Sequence, residues 1–244
     1  MVSVNNAPPQ IDGVQLSLET KVRPYMPVKL IIFDFDGTLA SSIDGITACM
    51  GKALHLFGYR RPSVDKVRGT IGLTLEDSIR KLTKWACPES DIPLVVRSYR
   101  NLYDTEGARL TTLFAGTAET LAAVKAAGIK TVLVSNKGNA ALARLLQQFK
   151  IINYFDLTLS AESVQHHKPS GALYTTHIVP VFPQINPKDI LVAGDTESDL
   201  RFAGNIGAQS CWAAYGYGHA ATCTAFAPKY TISSISELHD VLDK

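Results

Sequence analysis

The chain has little that would place it in a membrane or outside the cell. Among its 244 residues no apolar run approaches the length of about 20 needed to span a bilayer. Residues 1–27 mix Asn5, Asn6, Pro8, Pro9, Asp12 and Glu19 with no apolar core segment, which argues against a secretory signal. Scarce arginine and interrupting acids argue against a transit peptide in the same stretch, which reads as an N-terminal extension with little order. The four cysteines, Cys49, Cys87, Cys211 and Cys223, lie far apart with no CxxC pair, so neither a disulfide framework nor a zinc site is expected. Nor is there an excess of one charge: 24 Lys and Arg stand against 22 Asp and Glu, a formal net charge of +2. The one basic group, Arg60, Arg61 and Lys66, is too loose for a nucleic-acid footprint. Repeats and low-complexity tracts are absent. These absences predict a reduced, cytoplasmic protein that binds neither nucleic acid nor membrane, and they say nothing about oligomeric state or a protein partner.

What is present suits a well-packed globular protein: 46% hydrophobic and 19% charged residues, on a chain long enough for a core domain carrying a smaller one. Val28–Phe33 is a compact apolar run ending on acids and glycine, the pattern of a buried strand with a functional loop at its carboxyl end. Short apolar runs recur at Thr131–Val134, Asp156–Leu159, Ile190–Ala193 and Gln209–Ala213, with a weaker one at Lys229–Ile232. Helical patterns separate them at Ala118–Ala127, Asn139–Phe149, Gly171–Val179 and Ser198–Asn205, and Gly128 stands where a helix end needs a left-handed residue. Alternation of this kind predicts an α/β fold, a Rossmann-like parallel sheet with helices on both faces.

One stretch breaks the rhythm. Between about Asp44 and Leu110 there is no buried strand, only amphipathic helices at Gly45–Leu56, Ser63–Val67, Leu75–Lys84 and Asp91–Glu106, punctuated by Pro62, Pro88 and Pro93. The expected organisation is therefore a core from residues 28–44 and 111–244, with a small helical cap, 45–110, inserted after the first strand.

Ligands of an open parallel sheet gather outside the carboxyl ends of its strands. The polar residues at those positions are Asp34 and Asp36, Ser135 and Asn136, Lys168, and Asp195 with Asp199. Several carboxylates, a hydroxyl and a lysine in one crevice suit a hard divalent cation together with a phosphate. Asp34 and Asp195 can supply carboxylates to magnesium, which would also offset repulsion between an anionic nucleophile and an anionic substrate. Lys168 and the Ser135 hydroxyl can hold phosphoryl oxygens. In an extended Asp34-Phe35-Asp36 segment both acids point the same way, so one can attack while the other exchanges protons.

Asp34-Phe35-Asp36-Gly37-Thr38-Leu39 resembles the first signature motif of the haloacid dehalogenase superfamily. Val132–Asn136, Lys168-Pro169 and Gly194–Leu200 resemble its second, third and fourth, in the right order. Val67–Leu73 and the loop Tyr215–Gly218 are most similar to its phosphoglycolate-phosphatase-like members. The resemblance implies an aspartyl-phosphate on Asp34, with Asp36 protonating the leaving group and then activating water. It implies Mg2+ held by the Asp34 carboxylate, the Asp36 carbonyl and Asp195, with Asp199 supporting the site from behind or through a water. Ser135 and Lys168 would contact the phosphoryl group, helped by the backbones of Asn136 and Gly37. Dehalogenase members lack the second aspartate, so Asp36 points to phosphate chemistry.

The implied activity is hydrolysis of a small phosphorylated metabolite, phosphoglycolate first. A sugar phosphomutase, an inorganic pyrophosphatase and a non-catalytic binding module are the alternatives. His166 and His167, which depart from the family pattern beside Lys168, read as loop residues because magnesium prefers oxygen. Lys52, Arg68 and Arg80 of the insertion either reach a substrate anion or solvate a face, and Tyr215 and Tyr217 either touch substrate or belong to an ordinary loop.

Overall fold

The structure, a computed structural model, describes residues 28–242. The extension expected over residues 1–27 lies outside the described residues. Among the described residues eight strands run in chain order: β1 Leu30–Phe33, β2 Ala40–Ser41, β3 Thr112–Leu113, β4 Lys130–Val134, β5 Leu157–Leu159, β6 Ile190–Gly194, β7 Gln209–Ala213 and β8 Tyr230–Ile232. The α-helices are α1 Ile43–Leu56, α2 Val64–Arg68, α3 Leu75–Leu82, α4 Ile92–Thr105, α5 Thr117–Ala126, α6 Asn139–Gln148, α7 Glu197–Ile206, α8 Ala220–Thr224 and α9 Leu238–Leu242.

Six strands form one parallel, Rossmann-like sheet in the order β5-β4-β1-β6-β7-β8. From β1 the chain first builds outward through β4 and β5, then returns to β6 on the other side. The reversal opens a crevice at the carboxyl ends of β1, β4 and β6, where a doubly wound sheet binds its ligand. Strand alternation divides the core between the two faces: Leu30 and Ile32 enter one cluster with Val132, Val134 and Val192, while Ile31 and Phe33 enter the other with Leu133 and Leu191. Each such fully buried side chain contributes about 1.5–3 kcal/mol of transfer free energy. Both faces of β1 are sealed, so its carboxyl end is rigidly placed.

Helices α1–α4 enclose an apolar cluster of their own, including Met50, Leu54, Val67, Ile79 and Val95. The antiparallel pair β2–β3 ties the start of this helical segment to its end. Two-residue strands carry no readable period, so this pair is invisible in the sequence, as are the short helices α8 and α9. The expected helix over 171–179 is a wide π-type turn at Tyr174–Ile178, closed by Val179 N donating to Tyr174 O at 3.0 Å. The extra width lets Leu173, Tyr174 and Ile178 all reach the same core cluster. Gly128, with φ +74°, follows α5 as expected. All four cysteines are buried free thiols. Among the described residues no helix is long and apolar enough to cross a membrane.

Candidate active site

Asp34 follows β1 directly, and extended backbone carries Phe35 into the core while Asp34 and Asp36 line a cavity of about 250 Å³ beneath the helical segment. Gly37 then turns the chain at φ +88°. A Cβ there would overlap the Asp195 carboxylate, so only glycine lets the two loops approach this closely. The next residue, Thr38, donates its hydroxyl to Asp195 Oδ1 at 3.1 Å.

Asp195 leaves the end of β6 fully buried, and its second oxygen accepts from Tyr217 N at 2.7 Å. Gly216 and Gly218 pack on it so tightly that a Cβ at either would collide with Asp195. Asp199 sits in the first turn of α7. Its Oδ2 accepts from Thr196 N at 3.0 Å and Thr196 Oγ1 at 2.8 Å, a reciprocal helix cap. Its Oδ1 accepts from Lys168 Nζ at 2.6 Å, and the same ammonium donates to Asp34 Oδ1 at 2.6 Å. Asp199 therefore both completes the capping box with Thr196 and pairs with Lys168.

Burial pushes Asp34 up from its usual range to about 7; Lys168 opposes this, and the charges of Asp199 and Asp36 add to it. Burial also holds Asp195 well above the carboxylate range, reinforced by Asp34 and Asp199 and partly offset by the Tyr217 and Thr38 donors. Burial alone would lower Lys168, but Asp199 and Asp34 outweigh it and the ammonium is retained.

Oxygens of Asp34, Asp195 and Asp199 lie within 4.8 Å of one another. Three carboxylates and the single ammonium of Lys168 sum to a formal charge of −2 when all are ionised. A carboxylate pair can still accept at further lone pairs, and an all-oxygen donor set of this charge suits a hard divalent cation. The residues present fit such an ion.

Ser135, at the end of β4, is buried on the cavity wall, and its hydroxyl accepts from Lys137 N at 3.2 Å. It does not cap α6, whose first flanking residue is Gly138. Asn136 Nδ2 donates to Gly72 O at 2.9 Å, joining the core to the loop before α3. Asp34, Asp36, Ser135, Asn136 and Lys168 thus share one cavity wall, with Asp195 and Asp199 behind it and Gly37 packed on Asp195.

Other side chains settle differently. The Tyr217 hydroxyl accepts from Ser42 N and Ile43 N at 2.7 and 3.1 Å, and the Tyr215 hydroxyl donates to Thr38 O at 2.6 Å, so both phenols are committed to the scaffold. Lys52 pairs with Glu106 and Arg80 with Asp77 and Glu89, while Arg68 is exposed. The cation that α4 brings to the cavity is instead Arg100, paired with Glu162 at 2.6 Å. His167 Nε2 bonds Ala161 O at 3.0 Å. Sequence reasoning also missed Lys137, although it directly follows Ser135-Asn136. Burial would lower this lysine, but Asp36, with Tyr103 and Tyr99, holds it above the usual range.

A family model described as haloacid dehalogenase-like hydrolase matches residues 31–213. The chain is 29% identical over 225 residues to a phosphoglycolate phosphatase of Vibrio parahaemolyticus, covering 88% of this chain and 96% of that one. It is 27% identical over 221 residues to phosphoglycolate phosphatase 1 of Pseudomonas aeruginosa, covering 88% and 80%. Among solved structures, one from Haemophilus somnus 129PT described as a predicted phosphoglycolate phosphatase superposes with a TM-score of 0.81 at 25% identity, covering 87% of this chain and 97% of that one. A haloacid dehalogenase-like family hydrolase from Streptococcus pneumoniae shares the fold, with a TM-score of 0.76 at 23% identity over 88% and 98%.

Proposed function

The chain belongs to the haloacid dehalogenase-like hydrolase family, and on that premise we propose that it is a magnesium-dependent phosphatase acting on a small phosphate monoester. The observation that carries this reading is the pair Asp34 and Asp36 on one cavity wall, each facing its own lysine.

In this reading Asp34 attacks phosphorus and carries the phosphoryl group as an aspartyl-phosphate. Asp36 gives its proton to the departing oxygen, then takes one from the water that releases phosphate. Lys168 and Ser135 hold the phosphoryl oxygens as charge builds on them, with the Asn136 and Gly37 backbones assisting. Asp34, the Asp36 carbonyl and Asp195 would hold Mg2+, and Asp199 fixes Lys168. The ion, when bound, supplies charge compensation between carboxylate and phosphate. Residues 28–44 and 111–244 act as the catalytic core and 45–110 as a cap that selects the leaving group and excludes water.

Phosphoglycolate is the first candidate substrate, supported by the names of relatives at 27–29% identity. The test is phosphate release from phosphoglycolate, sugar phosphates, nucleotides and pyrophosphate, with and without EDTA, beside Asp34→Asn. Metal-dependent release lost in the variant is the expected result. Release from pyrophosphate alone would indicate a pyrophosphatase, and isomerisation without release a phosphomutase. A folded protein that turns over nothing would indicate a binding module.

A further inference from the structure

One buried cation on the cavity wall, Lys137, faces Asp36 rather than Asp34. Lys137 Nζ lies 3.1 and 3.3 Å from the two oxygens of Asp36, with 6% of its side chain exposed. On its other side the ammonium stands 4.0 Å from the centre of the Tyr103 ring, a cation–π contact contributed by α4. Tyr103 is itself held, buried and with its hydroxyl 2.8 Å from Thr111 Oγ1. A flexible side chain is thus clamped between the Asp36 carboxyl below and an aromatic face of the helical segment above.

Departure of the leaving group makes a specific demand on Asp36. As a bond forms from an Asp34 oxygen to phosphorus, the bond from phosphorus to the ester oxygen breaks and its electron pair stays on that oxygen. The oxygen takes the Asp36 proton, and Asp36 changes from neutral acid to carboxylate. An ammonium has donors and no acceptor. Lying 3.1 Å from one carboxyl oxygen and 3.3 Å from the other, it bridges the two and fixes the orientation of the Asp36 carboxyl toward the cavity. It also favours the charge that appears on Asp36 during the transfer.

We propose that Lys137 is a positioning residue for Asp36, and that Tyr103 holds its ammonium in place, so that leaving-group protonation depends on the helical segment being seated. The inference rests on the phosphatase reading and adds a residue to it.

The test separates substrates by their need for a proton. Phosphoglycolate releases an alkoxide that must be protonated, whereas 4-nitrophenyl phosphate releases a stable phenolate. The quantity measured is kcat/KM, which reports the steps up to leaving-group departure. In Lys137→Met the ratio of kcat/KM for phosphoglycolate to that for 4-nitrophenyl phosphate should fall by about 10- to 100-fold, the scale of a misplaced catalytic group. Lys137→Arg should return the ratio toward wild type. Tyr103→Leu, a second variant independent of the lysine, should lower it in the same sense. Retained turnover of the aryl ester shows in the same assay that each variant is folded.

Equal losses on both substrates would overturn the proposal. So would a rise in KM for phosphoglycolate with kcat kept, because Lys137 would then be an anchor for the substrate's own carboxylate. A wild-type protein inert toward both esters would instead overturn the phosphatase reading, and this inference with it.

Discussion

Replacing Asp195 by asparagine should have opposite effects on stability with and without metal. Asp195 shares its site with Asp34 and Asp199, all three with oxygens within 4.8 Å of one another. At a pH where all three are ionised, each like-charge pair at that separation and an effective dielectric of about 20 costs about 3 kcal/mol. Lys168 offsets roughly one such pair, which leaves Asp195 opposed by about 3 kcal/mol. The asparagine removes this cost but weakens both hydrogen bonds: its single acceptor oxygen serves Tyr217 N, and its amide nitrogen must donate to Thr38 Oγ1 in the reverse sense. That loss is about 1 kcal/mol each, the difference between a hydrogen bond to a charged partner and one to a neutral partner. In EDTA at such a pH the variant should therefore be more stable than wild type by about 1 kcal/mol, a rise of about 2–4 °C in Tm for a domain of this size. With Mg2+ at a hundred times its dissociation constant, wild type gains about 2.7 kcal/mol. The variant, lacking one of the carboxylates proposed to hold the ion, should gain much less, so the order of the two melting curves inverts. Differential scanning fluorimetry in EDTA and across a Mg2+ series measures this directly. A variant that gains as much from Mg2+ as wild type, or that falls below it equally in both conditions, would refute the electrostatic reasoning.

Three further outcomes follow from named contacts. Asp34 is pushed up to about 7 from its ordinary 3.8, so between those values the folded protein holds a proton that the unfolded chain has released. The Asp34 contribution to metal-free stability should consequently be lost as pH rises from about 4 to 7; in chemical denaturation Asp34→Asn should make the curve less steep over that range. Gly216→Ala drives a methyl group into Asp195, and overpacking of this kind should cost about 1–3 kcal/mol in urea while raising the Mg2+ concentration needed for half-maximal activity. Tyr217→Phe strips the acceptor from Ser42 N and Ile43 N at the start of α1; the unpaired donors should cost about 1–3 kcal/mol as a lower urea midpoint at unchanged slope, and no midpoint shift would show that water replaces the phenol.

The amino-acid sequence determined those parts of this protein that local rules govern. β-branched and apolar runs fixed the sheet strands, because a strand buried on both faces has no polar positions to spare. Three of these runs ended on a chemically distinctive residue: Asp34 after β1, Ser135 after β4, Asp195 after β6. Parallel strands present their carboxyl ends along one edge, so listing those residues already listed one wall of the cavity. The helical segment was legible for the same reason: amphipathic period and proline punctuation are properties of neighbouring residues.

Only the tertiary structure decided which of many equivalent side chains meets which partner. Lys137 and Asp36 stand 101 positions apart, and their ion pair exists because β1 and β4 are neighbours in the sheet. Arg80 and Arg100 are alike as sequence, yet one is spent on Asp77 and Glu89 while the other lines the cavity. Tyr217 could have faced a substrate and instead closes the start of α1. Periodicity gives the face on which a side chain stands. What lies opposite that face is set by packing between distant elements, and no local pattern encodes it.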